Sequence, residues 1–325
     1  MGREIDSNYR LAMTFSTPLT AAGDLQAVGT SVTGPMRGPV QMLADQTYDD
    51  HLSVHDDKTA ASLGLSGAPI EGPTHFSQFD PLAMELFGDE WFRTGCISSH
   101  FSTMVVEGQQ VQATAERTSD STASITATRN DGETVLTGSI SVAPHGTTAL
   151  EERLANRRDP GDLHIVDQLF EGMTSAAPVD TSMDLATPNG PLYPFSLERK
   201  LAGITERTPW YDGADNPWGR AIVPMEMLSV LANKVGERWP IRQPSLGLFL
   251  DLEVRLEGTP VFVDETYVVE REIVGLSASR RVESYWTRST LTEKSSGRHA
   301  ATVLLHSGVF KDSYPDYPSD EASAG

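Results

Sequence analysis

Apolar residues recur at helical spacing in two places along the chain. Phe76, Phe79, Leu82, Ala83, Leu86 and Phe87 form one stripe; Met225, Leu228, Val230, Leu231 and Val235 form the other. Each stripe is followed by runs rich in Val, Thr and Ile in which apolar and polar positions alternate. The first is followed by 109–117, 122–128 and 134–142, the second by 266–276, 280–291 and 299–309. Asn130-Asp131-Gly132 and Ser295-Ser296-Gly297 supply turns between runs. A helix followed by a meander of antiparallel strands predicts an α+β unit. Its sheet wraps around a central helix whose stripe buries against the sheet's apolar face.

The order of features repeats. Gly67-Ala68-Pro69-Ile70, a helix, Gly88-Asp89-Glu90-Trp91 and Glu107-Gly108-Gln109-Gln110-Val111 are echoed by Gly219-Arg220-Ala221-Ile222, a helix, Gly236-Glu237-Arg238-Trp239 and Glu257-Gly258-Thr259-Pro260-Val261. This predicts a duplicated domain, with copies at 1–145 and 191–312. Between them, 146–190 carries turn punctuation and one helical stretch, 148–158, and is expected to be a connector that wraps a surface. Residues 313–325 contain Pro and acids but no base, and are expected to form a solvated, disordered tail.

Charge and cysteine content narrow the field. With 25 Lys and Arg against 45 Asp and Glu, the formal charge of the 325 residues is −20. That repels phosphate backbones and anionic membranes, so neither nucleic acid nor a membrane is expected as partner. The single cysteine, Cys96, excludes a disulfide framework and any multi-cysteine metal centre. The start of the chain lacks the form of a signal peptide and no apolar run reaches bilayer length, so a cytoplasmic protein is expected.

The densest polar cluster runs Tyr48-Asp49-Asp50-His51-Leu52-Ser53-Val54-His55-Asp56-Asp57, and a loop, Gly67 to Gly72, then opens the first apolar helix. Taken alone, an Asp- and His-rich stretch is most simply a solvated acidic loop. The order is more informative: an Asp five positions before a His, Ala60 and Ala61 in a short helical piece, then Gly67-Ala68-Pro69-Ile70-Glu71-Gly72. In this it resembles the MaoC-like (R)-specific enoyl-CoA hydratase/dehydratase family, over roughly residues 25–145 by motif and 190–312 by pattern. The family's Asn-Pro is replaced here by Leu52-Ser53-Val54, and Asp45 and Asp49 remain alternatives to Asp50 as the carboxylate.

The resemblance implies a double hotdog, two copies of an antiparallel sheet each wrapped around a helix, acting as a hydro-lyase at the 2,3 position of an enoyl or 3-hydroxyacyl thioester, CoA-linked, as a homodimer and without a cofactor or metal. It assigns Asp50 and His55 to the activation of water and the Gly72 amide to the carbonyl oxygen. The chemistry asks for these types independently. A carboxylate and an imidazole on one water supply base and acid, and N–H groups at a helix start stabilise an enolate-like oxygen. His75, Arg93, Trp218 and Arg220 are candidates for contact with substrate; His75 is also readily explained as a packed, hydrogen-bonded histidine. Arg199, Lys200 and Arg207 are further scattered cations that a CoA tail could use.

The second copy carries Asn216-Pro217 but Gly219 where the histidine would fall, and no histidine lies between His164 and His299. It is expected to bind substrate rather than to catalyse. A metal on His51 and His55 lacks the Glu of a zincin, since Leu52 follows His51, and a Cys96–His100 dyad lacks any basic neighbour that would activate the thiol. A hotdog thioesterase, a lyase on a non-CoA metabolite and a non-catalytic acyl-binding module are the rival readings.

Overall fold

The computed structural model describes residues 25–46, 54–55, 60–61, 67–213, 216–235 and 238–318. In the first half, strands β1 (Gln26–Val28) and β2 (Ser31–Thr33) precede a 3-10 segment, Gly72–Phe79, that runs on into helix α1 (Asp80–Phe87) and the short α2 (Trp91–Thr94). Strands β3 (Cys96–Phe101), β4 (Val111–Arg117), β5 (Thr122–Arg129) and β6 (Thr134–Ser141) follow. The connector holds α3 (Ala149–Ala155) and β7 (Val179–Ser182). The second half contains α4 (Leu197–Gly203), a 3-10 turn Met225–Met227 leading into α5 (Leu228–Asn233), then β8 (Gly247–Leu256), β9 (Thr266–Ala278), β10 (Val282–Glu293) and β11 (His299–Phe310).

Among the described residues these strands make one sheet in the order β1-β2-β4-β5-β6-β3-β8-β11-β10-β9-β7. The sequence β2-β4-β5-β6-β3 is answered across the centre by β7-β9-β10-β11-β8, and the halves join where β3 pairs antiparallel with β8, Ile97 opposite Val254. The chain is therefore a double hotdog. The expected alternation is present: Val111, Ala113 and Ala115 of β4 and Ala123, Ile125 and Ala127 of β5 turn inward. Their small side chains let the sheet close on Phe76, Phe79, Leu82 and Ala83, all buried. Each large apolar side chain buried this way contributes about 1.5–3 kcal/mol.

The repeat is real, but its register differs from the sequence match. Ile70 N–H donates to the Val105 carbonyl (2.7 Å) and Val223 N–H to the Val261 carbonyl (2.8 Å), while Pro69 bridges to Val106 and Ile222 to Phe262. Ile70 thus corresponds to Val223, and the turn at Gly108 (φ 91°) corresponds to Asp264 (φ 63°), not to Gly258. The two Glu-Gly-x-x-Val segments are six residues out of step. The tryptophans differ too: Trp91 is enclosed in the main core, whereas Trp239 belongs to a satellite cluster.

The connector wraps the outer face of the second half. Thr148 caps α3 through a reciprocal pair with Glu151, and α3 sets Leu150 against Trp286 and Leu304. Further on, Ile165, Val166 and Leu169 pack on Ile273, Leu276 and Val309, and the buried Glu283 carboxylate accepts the N–H groups of His164, Ile165 and Val166. At the start of the expected tail Tyr314 and Tyr317 are half-buried against this cluster, while Pro315, Asp316 and Pro318 are exposed; residues 319–325 lie outside the described residues. No helix among the described residues is long and apolar enough to cross a membrane.

Candidate active site

The loop entering the first central helix is held from two sides. Its Pro69 carbonyl accepts from Gln41 Nε2 (2.6 Å) and lies 2.6 Å from His55 Nδ1. An isolated bridge from Pro69 to Val106 and the Ile70 N–H bond to the Val105 carbonyl pin the loop from the other side. An imidazole whose Nδ1–H donates to a carbonyl presents Nε2 as its basic nitrogen. Burial holds the His55 pKa below its ordinary 6.5, against the opposing effect of the Pro69 bond. His55 is thus a neutral, oriented imidazole at neutral pH.

Two residues beyond Ile70, Gly72 opens the helical segment, followed by Pro73 in the first turn. No side chain caps this start; Pro73 has no N–H and the Thr74 N–H donates to the Glu71 carbonyl (3.1 Å), which leaves the Gly72 N–H to whatever occupies the site. A Cβ on Gly72 would come within 2.8 Å of the Phe101 ring, so the backbone approaches an aromatic wall that tolerates only hydrogen. Ile70, Phe76 and Val105 are buried around it, and Phe76 stacks on Phe101 with centroids 6.3 Å apart.

Asp50, with Asp49 and His51, lies outside the described residues, so its placement beside His55 stays an expectation. Asp45 is exposed in a turn. His75 is enclosed, 3.2 Å from Gln78 Nε2. Burial, with Lys200 adding to it, brings its pKa down to about 4, so it is a neutral packed histidine. Arg93, Trp218 and Arg220 come together, but at the start of the second central helix. The Arg93 guanidinium stands 5.0 Å from the Trp218 ring and that of Arg220 stands 4.4 Å from Phe262, while Trp218 meets Trp210 and Phe262 edge-on. Asn216 fastens this loop by donating to the carbonyls of Trp210 (3.3 Å) and Arg220 (2.6 Å). In the observed register Pro224-Met225 replaces Glu71-Gly72. The second copy therefore lacks the bare glycine as well as the histidine.

Sequence reasoning missed a buried polar group behind Gly72. Lys200 of α4 is buried, not available to a CoA tail; its Nζ lies 2.9 Å from Glu226 Oε1 and donates to Thr74 Oγ1 (3.0 Å). Glu71, also buried, is hydrogen-bonded by Tyr193. Burial raises its carboxyl pKa to about 7, with Glu226 adding to the rise and Lys200 and Tyr193 opposing it. Asp80 accepts from Trp91 Nε1 (2.8 Å) and Tyr211 Oη (2.6 Å), and burial likewise raises it to about 7. One signal was available: Lys200 falls three residues after Leu197 and one before Leu201, on the apolar face of its helix. Cys96 is enclosed and its thiol is pushed up by burial, and His100 bonds Asp251 (2.7 Å), so no dyad forms. Among the described residues no three His, Cys, Asp or Glu lie where they could hold a metal ion.

No protein-family model and no curated protein sequence matches this chain. Solved structures similar to it include a protein of Chloroflexus aurantiacus described as a MaoC domain dehydratase (TM-score 0.48, 14% identity, 88% of this chain and 95% of that one). Another is a Mycobacterium tuberculosis protein described as having a double hotdog fold (0.48, 14%, 78% and 86%). A third, from Novosphingobium aromaticivorans, is described as a thioesterase (0.39, 14%, 88% and 98%). At these identities no residue role carries across. The chain is a double hotdog on its own strand order, and its structural neighbours include MaoC-type dehydratases and thioesterases alike.

Proposed function

We propose that the protein is a hydro-lyase that adds or removes water across the 2,3 bond of an acyl thioester. One observation carries this reading: His55 is seated through Nδ1 on the Pro69 carbonyl, three residues before the uncapped helix start at Gly72. The arrangement supplies the two elements that reversible hydration needs. In dehydration His55 Nε2 takes the proton from Cα and delivers a proton to the departing hydroxyl, and in hydration it takes a proton from water and delivers one to Cα, with the Asp50 carboxylate proposed to hold the same water. The Gly72 N–H receives the charge that grows on the thioester oxygen, in a site walled by Phe101, Phe76 and Ile70. CoA as carrier and a homodimer as assembly are proposed with it.

The test is turnover of crotonyl-CoA and longer enoyl-CoA thioesters, followed by loss of the enoyl absorbance with free thiol measured in parallel. Hydration without thiol is the expected result; thiol release at the same rate makes the protein a thioesterase. Reversing both surface charges with Arg93→Glu and Arg220→Glu is expected to raise KM for CoA thioesters and leave kcat in place if those guanidiniums meet the carrier. An unchanged KM removes them from the site.

A further inference from the structure

Glu71 stands between the two features on which the proposed chemistry rests, the Pro69 carbonyl that orients His55 and the Gly72 amide. Its carboxyl group is enclosed, 8% exposed, and Tyr193 hydrogen-bonds it. Its Oε1 finds no hydrogen-bond partner among the described residues. A buried oxygen in that position is desolvated at a cost unless something meets it. Burial sets its state first, and the charged groups facing it adjust it. Lys200, from α4, is paired with Glu226 at 2.9 Å and bonded to Thr74, and its charge opposes the rise without cancelling it. Glu226, from the second helix start, repels a second carboxylate, and His75 is neutral. Tyr193 is left as the donor to one carboxyl oxygen.

We propose that Glu71 acts as a neutral carboxylic acid and donates a hydrogen bond from Oε1 to the thioester carbonyl oxygen, beside the Gly72 amide. It would be a second donor to the developing oxyanion. The inference rests on the hydro-lyase reading and adds a catalytic residue to it. No proton is transferred in this step: the O–H bond stays intact while the bond to the carbonyl oxygen shortens as charge accumulates there, and Asp50 and His55 keep the proton traffic. A carboxylic acid kept protonated at neutral pH to serve as a donor is an established physical device in enolate chemistry. With the Glu71 pKa raised to about 7, the donor is present below that pH and lost above it.

The experiment is the pH dependence of kcat/KM on crotonyl-CoA for the wild type, Glu71→Gln and Glu71→Leu, with melting curves for each. The wild type is expected to lose activity as pH rises through about 7. Glu71→Gln keeps an N–H donor at the same place and still accepts from Tyr193, so its kcat falls by less than about tenfold and the alkaline loss disappears. Glu71→Leu removes the donor and lowers kcat by about 10²–10³. Infrared difference spectra give a second readout that needs no turnover: the wild type at pH 6 shows a protonated-carboxyl C=O stretch, absent in Glu71→Gln, that shifts on adding an unreactive acyl-CoA thioether. If Glu71→Gln retains the wild-type alkaline limb, or that carboxyl band is absent or insensitive to the thioether, the donor role is overturned while the hydro-lyase reading stands. A wild type that hydrates no enoyl thioester overturns the parent reading instead.

Discussion

Lys200→Met isolates the energetics of the polar group that joins α4 to the starts of both central helices. Lys200 and Glu226 are 3% and 2% exposed, and the ion pair between them is their main mutual compensation. Removing the ammonium leaves a carboxylate enclosed without a cation and takes the donor from Thr74, which from comparable buried pairs costs about 3–5 kcal/mol. Methionine fills nearly the same volume, so little of that loss is cavity formation. Urea unfolding measures it, with Glu226→Gln and the double variant completing a cycle. The double variant is expected to recover most of the loss, since the pair's own desolvation cost disappears with it. A kinetic consequence accompanies the stability change. Lys200 lowers the Glu71 pKa, so Lys200→Met pushes that pKa up and moves the alkaline limb of kcat/KM to higher pH. A single-variant cost below about 1 kcal/mol, or an alkaline limb moving down, refutes the reasoning.

Other consequences are simpler to check. Asp80 and Glu71 both have pKa values near 7 in the fold, above their ordinary 3.8 and 4.5. Their protonated forms therefore stabilise the fold fully below about pH 4, and that contribution is lost as pH rises toward and through 7; Asp80→Asn, which can still receive Trp91, is expected to remove roughly half the slope of urea stability against pH in that window. Gly72→Ala sets a methyl 2.8 Å from the Phe101 ring and is expected to cost about 1–3 kcal/mol, most of it recovered by adding Phe101→Leu, as thermal melts would show. Leu82 is wholly enclosed against the first sheet, and Leu82→Ala is expected to lose about 2–5 kcal/mol in denaturant titrations. Asp264→Gly relieves a side chain at φ 63° and is expected to raise stability by a few tenths to about 1 kcal/mol.

The hairpins were legible because alternation and turn chemistry coincide: Asn130-Asp131-Gly132 joins β5 to β6, and Ser295-Ser296-Gly297 joins β10 to β11, close to where the pattern puts them. The two strands that fuse the halves were harder to see. Strand β3 carries Ser98, Ser99 and His100 at the centre of the sheet, where Ser98 donor and acceptor needs are met by the N-terminus of α3 and other polar neighbours. Strand β8 does alternate, Leu248, Leu250, Leu252, Val254 and Leu256, yet Asp251, Glu253 and Arg255 between them are drawn inward by the connector's Arg153, Thr148 and Glu151. The repeat's register was misread because a Glu-Gly pair is a common turn signal, while the true counterpart of Gly108 is an aspartate. At the site, the His55-to-Gly72 loop could be found from local spacing. The group of Glu71, Tyr193, Lys200 and Glu226 could not, because its members come from three separate stretches and meet only through the fold.

The central claim is that His55, working with the Gly72 amide, moves protons on an enoyl thioester. Its most direct test is the initial rate of crotonyl-CoA hydration by wild type, His55→Ala and Asp50→Asn at pH 7. The account predicts water addition without thiol release in the wild type and a loss of about 10²–10⁴ in kcat in each variant, with the melting temperature preserved. Equal rates in all three proteins, or no hydration by the wild type, would contradict it.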